Sequence, residues 1–164
     1  MRKLERTQFI PKPIDQVWPF FSDPRNLDPM TPRSLEFEIV KGADPPMRKG
    51  QIIEYRIRIA PGVRHRWITE ITHCDPYRYF VDEQRHGPYR LWRHTHRFES
   101  IGNGVLMNDL VQYQMPFEPL GTLIHCLFVK PRLETIFDYR RACIEKRFDT
   151  EAPDRNPAKI PASV

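Results

Sequence analysis

The feature that most constrains the fold is a change of hydrophobic period after Pro116. Between Ile53 and Met115, apolar residues recur at every second position in successive runs separated by glycine, proline or aspartate turns. This pattern is typical of strands with one buried face. After Pro116 the spacing lengthens to three and four residues, which predicts one amphipathic helix from Leu120 to Phe148 with a kink near Pro131.

Short helical segments precede most of the alternating runs, and the long helix follows the last run. A short helix is expected over Ile14–Phe21 and a further helical turn over Asn26–Met30. An antiparallel sheet with one apolar face must be covered, and the terminal helix is the element long enough to do so. We therefore expect an α+β fold with a curved antiparallel sheet wrapped around the helix and a cavity between them. The predicted strands are Lys3–Ile10, Leu35–Ile39, Ile53–Ile59, Val63–Thr72, Tyr79–Arg85, Trp92–Phe98 and Val105–Met115.

The length and composition indicate one domain and a reducing compartment. With 164 residues and 40% hydrophobic residues, the chain is long enough for one core, which we assign to residues 1–149. Residues 150–164 are rich in proline and are expected to form an extended tail. The three cysteines have no paired spacing, and neither a signal peptide nor a membrane span is recognisable, so we expect a cytoplasmic protein.

The net charge of +5 raises the question of an anionic partner. Many of the arginines, such as Arg56, Arg58 and Arg66, alternate with apolar residues within predicted strands and lie near acidic residues such as Glu54. This arrangement is more typical of a solvated sheet face than of a nucleic-acid surface. We expect no nucleic-acid partner and no stable membrane insertion, and the oligomeric state stays open.

The most unusual stretch is Asp82–Glu99, which places two imidazoles and two other aromatic rings on one strand face. A turn at Gly102–Gly104 sets the pairing of this strand with the next. If the turn is centred between Gly102 and Asn103, the opposed pairs are Phe98 with Met107, His96 with Asp109, His94 with Val111 and Trp92 with Tyr113.

The predicted contact between His96 and Asp109 has two interpretations. Asp109 could hold His96 as a general base, with His94 or Tyr113 as its partner. Alternatively, the pair could be a satisfied polar network that sets strand register or orients a ligand. No nucleophile, glycine-rich loop or second acid accompanies the pair, so we favour the second interpretation over catalysis.

The spacing His94-x-His96 also suggests a metal site. Zinc needs three or four ligands, and His65 on another strand of the same sheet is a candidate for the third. A His-x-His pair is weak evidence by itself, and the cysteines lie in unrelated elements. We therefore expect no metal and no cofactor.

The ligand-facing side chains are expected to be mostly aromatic, with one arginine at the rim. Arg90 could reach a ligand carboxylate or phosphate, but an exposed ion pair with Asp82 or Glu83 is the more ordinary role. The predicted ligand-binding residues are Tyr55, His65, Trp67, Arg90, Trp92, His94, Met107, Val111 and Tyr113, and the candidate catalytic residues are His96 and Asp109.

Three segments and the order of elements resemble the START-related SRPBCC superfamily, which has the helix-grip fold. The segments are FVDEQRHGPYRLWRHTHRFE (Phe80–Glu99), NDLVQYQMP (Asn108–Pro116) and EPLG before the last helix. Within the superfamily, the chain is most similar to bacterial polyketide cyclase/dehydrase-like proteins, over roughly Arg2 to Phe148. The resemblance implies a hydrophobic pocket between sheet and helix, which different members use for lipids, hormones, polyketides or cyclisation chemistry.

Fold membership does not select a function, because binders and enzymes share this scaffold. We expect a protein that binds a hydrophobic or amphipathic small molecule without catalysis. One alternative is an aromatase/cyclase-type or dehydratase-type enzyme in which His96 and Asp109 transfer protons. The other is an interaction protein with a filled core.

Overall fold

A computed structural model describes residues 1–60, 62–116 and 125–148 of the chain. They form a seven-stranded antiparallel sheet with the strand order β1-β7-β6-β5-β4-β3-β2. The curved sheet and C-terminal helix confirm the predicted helix-grip fold. The strands are β1 (Arg2–Ile10), β2 (Glu38–Lys41), β3 (Ile52–Ala60), β4 (Val63–Asp75), β5 (Tyr79–His86), β6 (Leu91–Ile101) and β7 (Gly104–Gln114).

The helices are α1 (Ile14–Phe21) and α2 (Lys130–Phe148), with 3₁₀ turns at Pro24–Leu27 and Arg33–Leu35. A π-helical turn over His125–Val129 leads into α2. The predicted helix therefore changes its hydrogen-bonding pattern at Lys130, and Pro131 lies in the first turn of α2, where its missing N–H is tolerated. The predicted start at 120–124 and the tail over 150–164 lie outside the described residues.

The predicted strand Leu35–Ile39 is wrong in its first half. Residues Arg33–Leu35 form a 3₁₀ turn, and Glu36 then adopts a left-handed conformation with φ 44°, which interrupts an extended strand. Arg58 stabilises this corner, because it donates to the Ser34 carbonyl and lies 2.7 Å from the Glu36 carboxylate. The strand begins only at Glu38 and pairs with β3 at the sheet edge.

The register of β6 and β7 is the predicted one. Phe98 pairs with Met107, His96 with Asp109, His94 with Val111 and Trp92 with Tyr113. On the other side of β6, β5 pairs Phe80 with His96 and Asp82 with His94. These side chains therefore lie on the concave face of the sheet, which α2 covers.

The opposite, convex face carries ion pairs between neighbouring strands. Arg66 lies 2.7 Å from Glu54, and Arg85 lies 2.7 Å from Glu70. These contacts have the arrangement that the alternation of arginine and glutamate in the sequence predicts.

The interior divides into layers along the strands. At one end, α1 and the last turn of α2 pack on β6 and β7 to form what we call the basal cluster, which includes Trp18, Phe21, Phe98, Met107 and Phe148. At the other end lies an aromatic layer of Tyr55, Trp67, Tyr89, Trp92 and Tyr113. Among the described residues, no helix is long and apolar enough to cross a membrane.

Candidate functional site

Between the basal cluster and the aromatic layer, β5, β6 and β7 bring together Asp82, His94, His96 and Asp109, which we call the His-Asp cluster. Asp109 Oδ1 lies 2.7 Å from His96 Nδ1 and 3.3 Å from His94 Nε2. Asp82 Oδ2 lies 3.2 Å from His96 Nε2 and 3.6 Å from His94 Nδ1. Each carboxylate thus faces one nitrogen of both imidazoles.

The cluster is almost fully enclosed, so its charges interact strongly. The side chains of His94, His96, Asp109 and Asp82 are only 4, 12, 14 and 16% exposed. Phe80 stacks on His96 with ring centroids 4.1 Å apart, and Phe137 of α2 contacts His94 with ring centroids 5.6 Å apart.

The two imidazoles have pKa values displaced in opposite directions. Burial opposes a charge on His96, but Asp109 and Asp82 outweigh it and raise the pKa of His96 to about 9. Burial and the charge of His96 lower the pKa of His94, despite the attraction of the same carboxylates. Burial would raise the pKa of Asp109, but the two histidines hold it well below its usual range. The cluster therefore holds an acidic and a basic imidazole side by side.

Helix α2 adds one cation that the sequence interpretation did not include. Arg140 is half-buried, its Nε atom is fully enclosed, and its guanidinium carbon lies 5.3 Å from the centre of the Phe137 ring. Burial lowers the pKa of Arg140, and the charges of Asp109 and Asp82 act against that decrease. A cavity of about 20 Å³, which is room for about one water molecule, lies beside Arg140 and Asp109.

The aromatic layer packs tightly next to the cluster. The ring centroids of Trp67 and Trp92 are 5.4 Å apart, and those of Trp92 and Tyr113 are 6.0 Å apart. Thr69 links two of the rings, because it makes a 2.9 Å hydrogen bond with the Tyr55 hydroxyl and accepts one of 3.1 Å from the Trp67 indole. Much of the predicted pocket floor is thus filled by its own side chains.

A larger pocket of about 290 Å³ opens beyond Tyr113, between the start of β1, the end of β7 and the start of α2. The Tyr113 hydroxyl makes a 2.7 Å hydrogen bond with His125 Nε2 at its inner wall. Its lining residues are Arg2, Lys3, Leu4, Tyr113, His125, Lys130, Leu133 and Glu134.

The predicted site residues are therefore divided among different environments. The His-Asp cluster contains His94, His96 and Asp109, and the aromatic layer contains Tyr55, Trp67, Trp92 and Tyr113. Met107 lies in the basal cluster, and Val111 packs with Tyr113.

Two of the predicted residues lie apart from the cluster. His65 contacts His86, with ring centroids 6.0 Å apart, and bonds the Arg66 carbonyl, so it is not the third member of a group with His94 and His96. Arg90 is exposed, and the ion pair suggested for it with Asp82 or Glu83 is wrong, because Asp82 faces the histidines and Glu83 pairs with arginines.

The sequence interpretation missed Asp82, Arg140 and His125 as site residues. Arg140 had a visible signal, since it lies three residues after Phe137 and four before Ile144 on the apolar stripe of α2. Asp82 had a weaker one, because it shares strand parity with Phe80 but the longer β5–β6 connection gives no simple register. His125 had none, since it lies within the helix that the sequence predicts from Leu120 to Phe148.

Comparison with known sequences identifies the family of this chain. Residues 1–139 match the profile of a family described as polyketide cyclase/dehydrase and lipid transport. The chain belongs to this family. Among curated proteins, none matches the chain in sequence.

Solved structures with the same fold come from distant organisms. TTHA0849 from Thermus thermophilus is similar with a TM-score of 0.64 and 19% identity, covering 89% of this chain and 99% of that one. Ginseng major latex-like protein 151 from Panax ginseng has a TM-score of 0.62 and 15% identity, covering 90% and 97%. Ara h 8.0201 has a TM-score of 0.60 and 16% identity, covering 88% and 98%. These similarities establish the helix-grip fold.

Proposed function

We propose that this protein binds an amphipathic small molecule without transforming it, in the pocket between β1, β7 and α2. The observation that carries the proposal is the pocket of about 290 Å³ beyond Tyr113, within the usual size range once small side-chain movements are allowed. In this proposal, residues 1–149 form one ligand-binding domain. The three free cysteines support a reducing, cytoplasmic location.

The chemistry of the pocket favours a ligand with an apolar body and an anionic group. Leu4, Leu133 and the Tyr113 ring supply apolar surface, whereas Lys3 and Lys130 supply positive charge at the rim. The ammonium groups can bind a carboxylate or phosphate as point charges. An apolar body would then lie against Leu133 and extend toward the aromatic layer.

The aromatic layer connects this pocket with the His-Asp cluster. Tyr113 contacts Trp92 with ring centroids 6.0 Å apart, and Trp92 contacts His94 with ring centroids 6.5 Å apart. A ligand that displaced the Trp92 ring would meet polar groups at the end of an apolar passage. In this proposal the cluster orients a second polar group of the ligand.

The proposal is tested with the anionic dye anilinonaphthalene sulfonate and with protein taken from its own cell. Native mass spectrometry of that protein should reveal a co-purified amphipathic molecule. Leu4→Trp fills one wall of the pocket, so dye affinity should fall by at least about tenfold, as expected when an apolar contact surface is blocked. Tyr113→Phe removes the bond to His125 and should change dye affinity by less than about tenfold.

The matched control is Ile101→Trp, which adds the same side chain at a position 45% exposed at the opposite end of β6. It should leave dye affinity unchanged. Equal dye binding by the wild-type protein and the Leu4→Trp variant would contradict the proposed pocket.

A second candidate function is proton transfer on the bound molecule, and the close pairing of His96 with Asp109 at 2.7 Å favours it. Its test is to incubate the co-purified molecule with the protein in D₂O and measure deuterium uptake by mass spectrometry. Catalysis requires that His96→Gln abolishes the uptake while binding persists. Absence of uptake with the wild-type protein would leave binding as the function.

A further inference from the structure

The His-Asp cluster has an arrangement that its role beside a ligand pocket does not explain. Asp82 faces His94 Nδ1 and His96 Nε2, whereas Asp109 faces the remaining nitrogen of each ring. One donor atom from each of Asp82, His94 and His96 lies within 4.8 Å of the other two. An inner carboxylate beside two imidazoles, with an outer carboxylate behind the same imidazoles, is typical of metal centres.

We propose that Asp82, His94 and His96 bind one divalent transition-metal ion, with Asp109 as the outer carboxylate that orients both rings. Ligands about 2.0–2.2 Å from a metal lie roughly 3.0–3.5 Å from each other in octahedral or tetrahedral sites. The distances from Asp82 Oδ2 to the two facing nitrogens are 3.2 and 3.6 Å, which fit this geometry after small side-chain rotations.

The contacts on the Asp109 side of the rings are not optimised as hydrogen bonds. There His94 Nε2, His96 Nδ1 and Asp109 Oδ1 are enclosed, yet among the described residues none of these atoms makes a well-aligned hydrogen bond. Their short contacts with each other are close in distance but poor in angle. On the other side, His96 Nε2 makes a 3.2 Å hydrogen bond with Asp82 Oδ2, which a bound metal ion would replace. A purely structural network gains most when its bonds are aligned, whereas metal binding would rotate both imidazoles.

The charges around the site leave room for a cation. Two carboxylates face the pair of imidazoles. The charges of both carboxylates also act on the pKa of Arg140, a neighbouring cation. A metal ion must first displace the proton of His96, and the two carboxylates and Arg140 then leave one negative charge to offset the metal. A metal ion bound by two nitrogens and one oxygen would leave coordination positions open.

The histidines outside the cluster provide matched controls. His73 is exposed and makes a 3.1 Å hydrogen bond with Thr72 on the sheet surface. His73→Ala therefore removes an imidazole from the chain without touching the proposed ligands. Any metal affinity that this variant loses belongs to the surface rather than to the cluster.

The experiment is calorimetric titration of chelator-treated, dialysed full-length protein with zinc chloride alone. We expect one zinc ion per chain with micromolar or tighter affinity, lost by at least about tenfold in Asp82→Asn and His94→Ala and unchanged in His73→Ala. Asp109→Asn keeps all three ligands and should weaken binding by about 10–100-fold. No binding by the wild-type protein, or equal binding by wild type and Asp82→Asn, would overturn the proposal.

A second measurement avoids the risk that a cluster variant fails to fold. Cobalt(II) chloride added to the wild-type protein should produce visible absorption bands and broaden the NMR signals of His94 and His96 in preference to those of His73. Broadening confined to His73 or the other exposed histidines would overturn the proposal. Because Leu4→Trp blocks the ligand pocket and not the cluster, its cobalt spectrum should match the wild type, so the two proposals fail separately.

Discussion

The basal cluster and the His-Asp cluster occupy neighbouring layers of the same two strands but bury different chemistry. In the basal cluster, Phe98 faces Met107 across β6 and β7, and both are packed among apolar side chains. Two residues away, His96 faces Asp109 in an equally central position. Apolar packing stabilises the first layer, whereas the second must offset the desolvation of several charges. We therefore expect the basal cluster to contribute most of the stability of this fold. The groups that could bind or select a polar partner lie in the His-Asp cluster.

The largest effect is expected in the basal cluster. The Phe98 ring lies 5.5 Å from the Trp18 ring and 5.2 Å from the Phe21 ring, so Phe98→Ala leaves a cavity among packed aromatics. The free energy of unfolding, measured by urea denaturation, should fall by about 3–5 kcal/mol. Ile101→Ala, at a position 45% exposed on the same strand, should change it by less than about 0.5 kcal/mol. Equal losses in the two variants would contradict the assignment of the core.

The next prediction tests whether Asp109 and His96 of the His-Asp cluster stabilise each other. Asp109→Asn removes a charge 2.7 Å from His96 and leaves that imidazole without its main partner. The free energy of unfolding should fall by about 2–4 kcal/mol.

The double variant Asp109→Asn with His96→Gln supplies the control for that result. Its loss should be smaller than the sum of the two single losses, because the second substitution removes the unpaired charge. Strict additivity would show that the two side chains do not interact.

The smallest effect is the pH dependence of stability, measured with a chelator present so that the metal-free chain is compared. The pKa of His96 is raised from 6.5 to about 9, so its stabilising contribution is complete below pH 6.5 and is lost as the pH rises through 9. The free energy of unfolding should therefore decrease from pH 6.5 to pH 9.5, by on the order of 2 kcal/mol. Urea denaturation at several pH values measures this slope.

His94 is expected to lower the free energy of unfolding at acid pH, whereas His96 lowers it at alkaline pH. The pKa of His94 is lowered from 6.5, so the unfolded chain takes up this proton first and stability decreases as the pH falls below 6.5. Stability should then have a maximum near pH 6.5. In Asp109→Asn the alkaline slope should become shallower, because Asp109 raises the pKa of His96 more than Asp82 does. If the variant keeps the same decrease in stability at alkaline pH, groups other than His96 cause that decrease.

Much of the fold could be predicted because its signals are local. The alternation of apolar and charged residues identifies the strands, and the short turn at Gly102–Gly104 sets the register that pairs His96 with Asp109. The strand at Leu35–Ile39 was misjudged because one left-handed residue, Glu36, ends the extended conformation without a glycine or proline to mark it.

The sequence by itself therefore determined the fold, the shared face of the two histidines and the pairing of His96 with Asp109. Only the tertiary structure brought Asp82 to the far side of the same imidazoles, because the β5–β6 connection leaves the register of that pair unspecified. It also placed Arg140, which lies 31 residues beyond Asp109 in the chain, where the charges of both carboxylates act on its pKa. Periodicity reports which face a residue occupies, whereas the partner across a cavity depends on how separate elements pack.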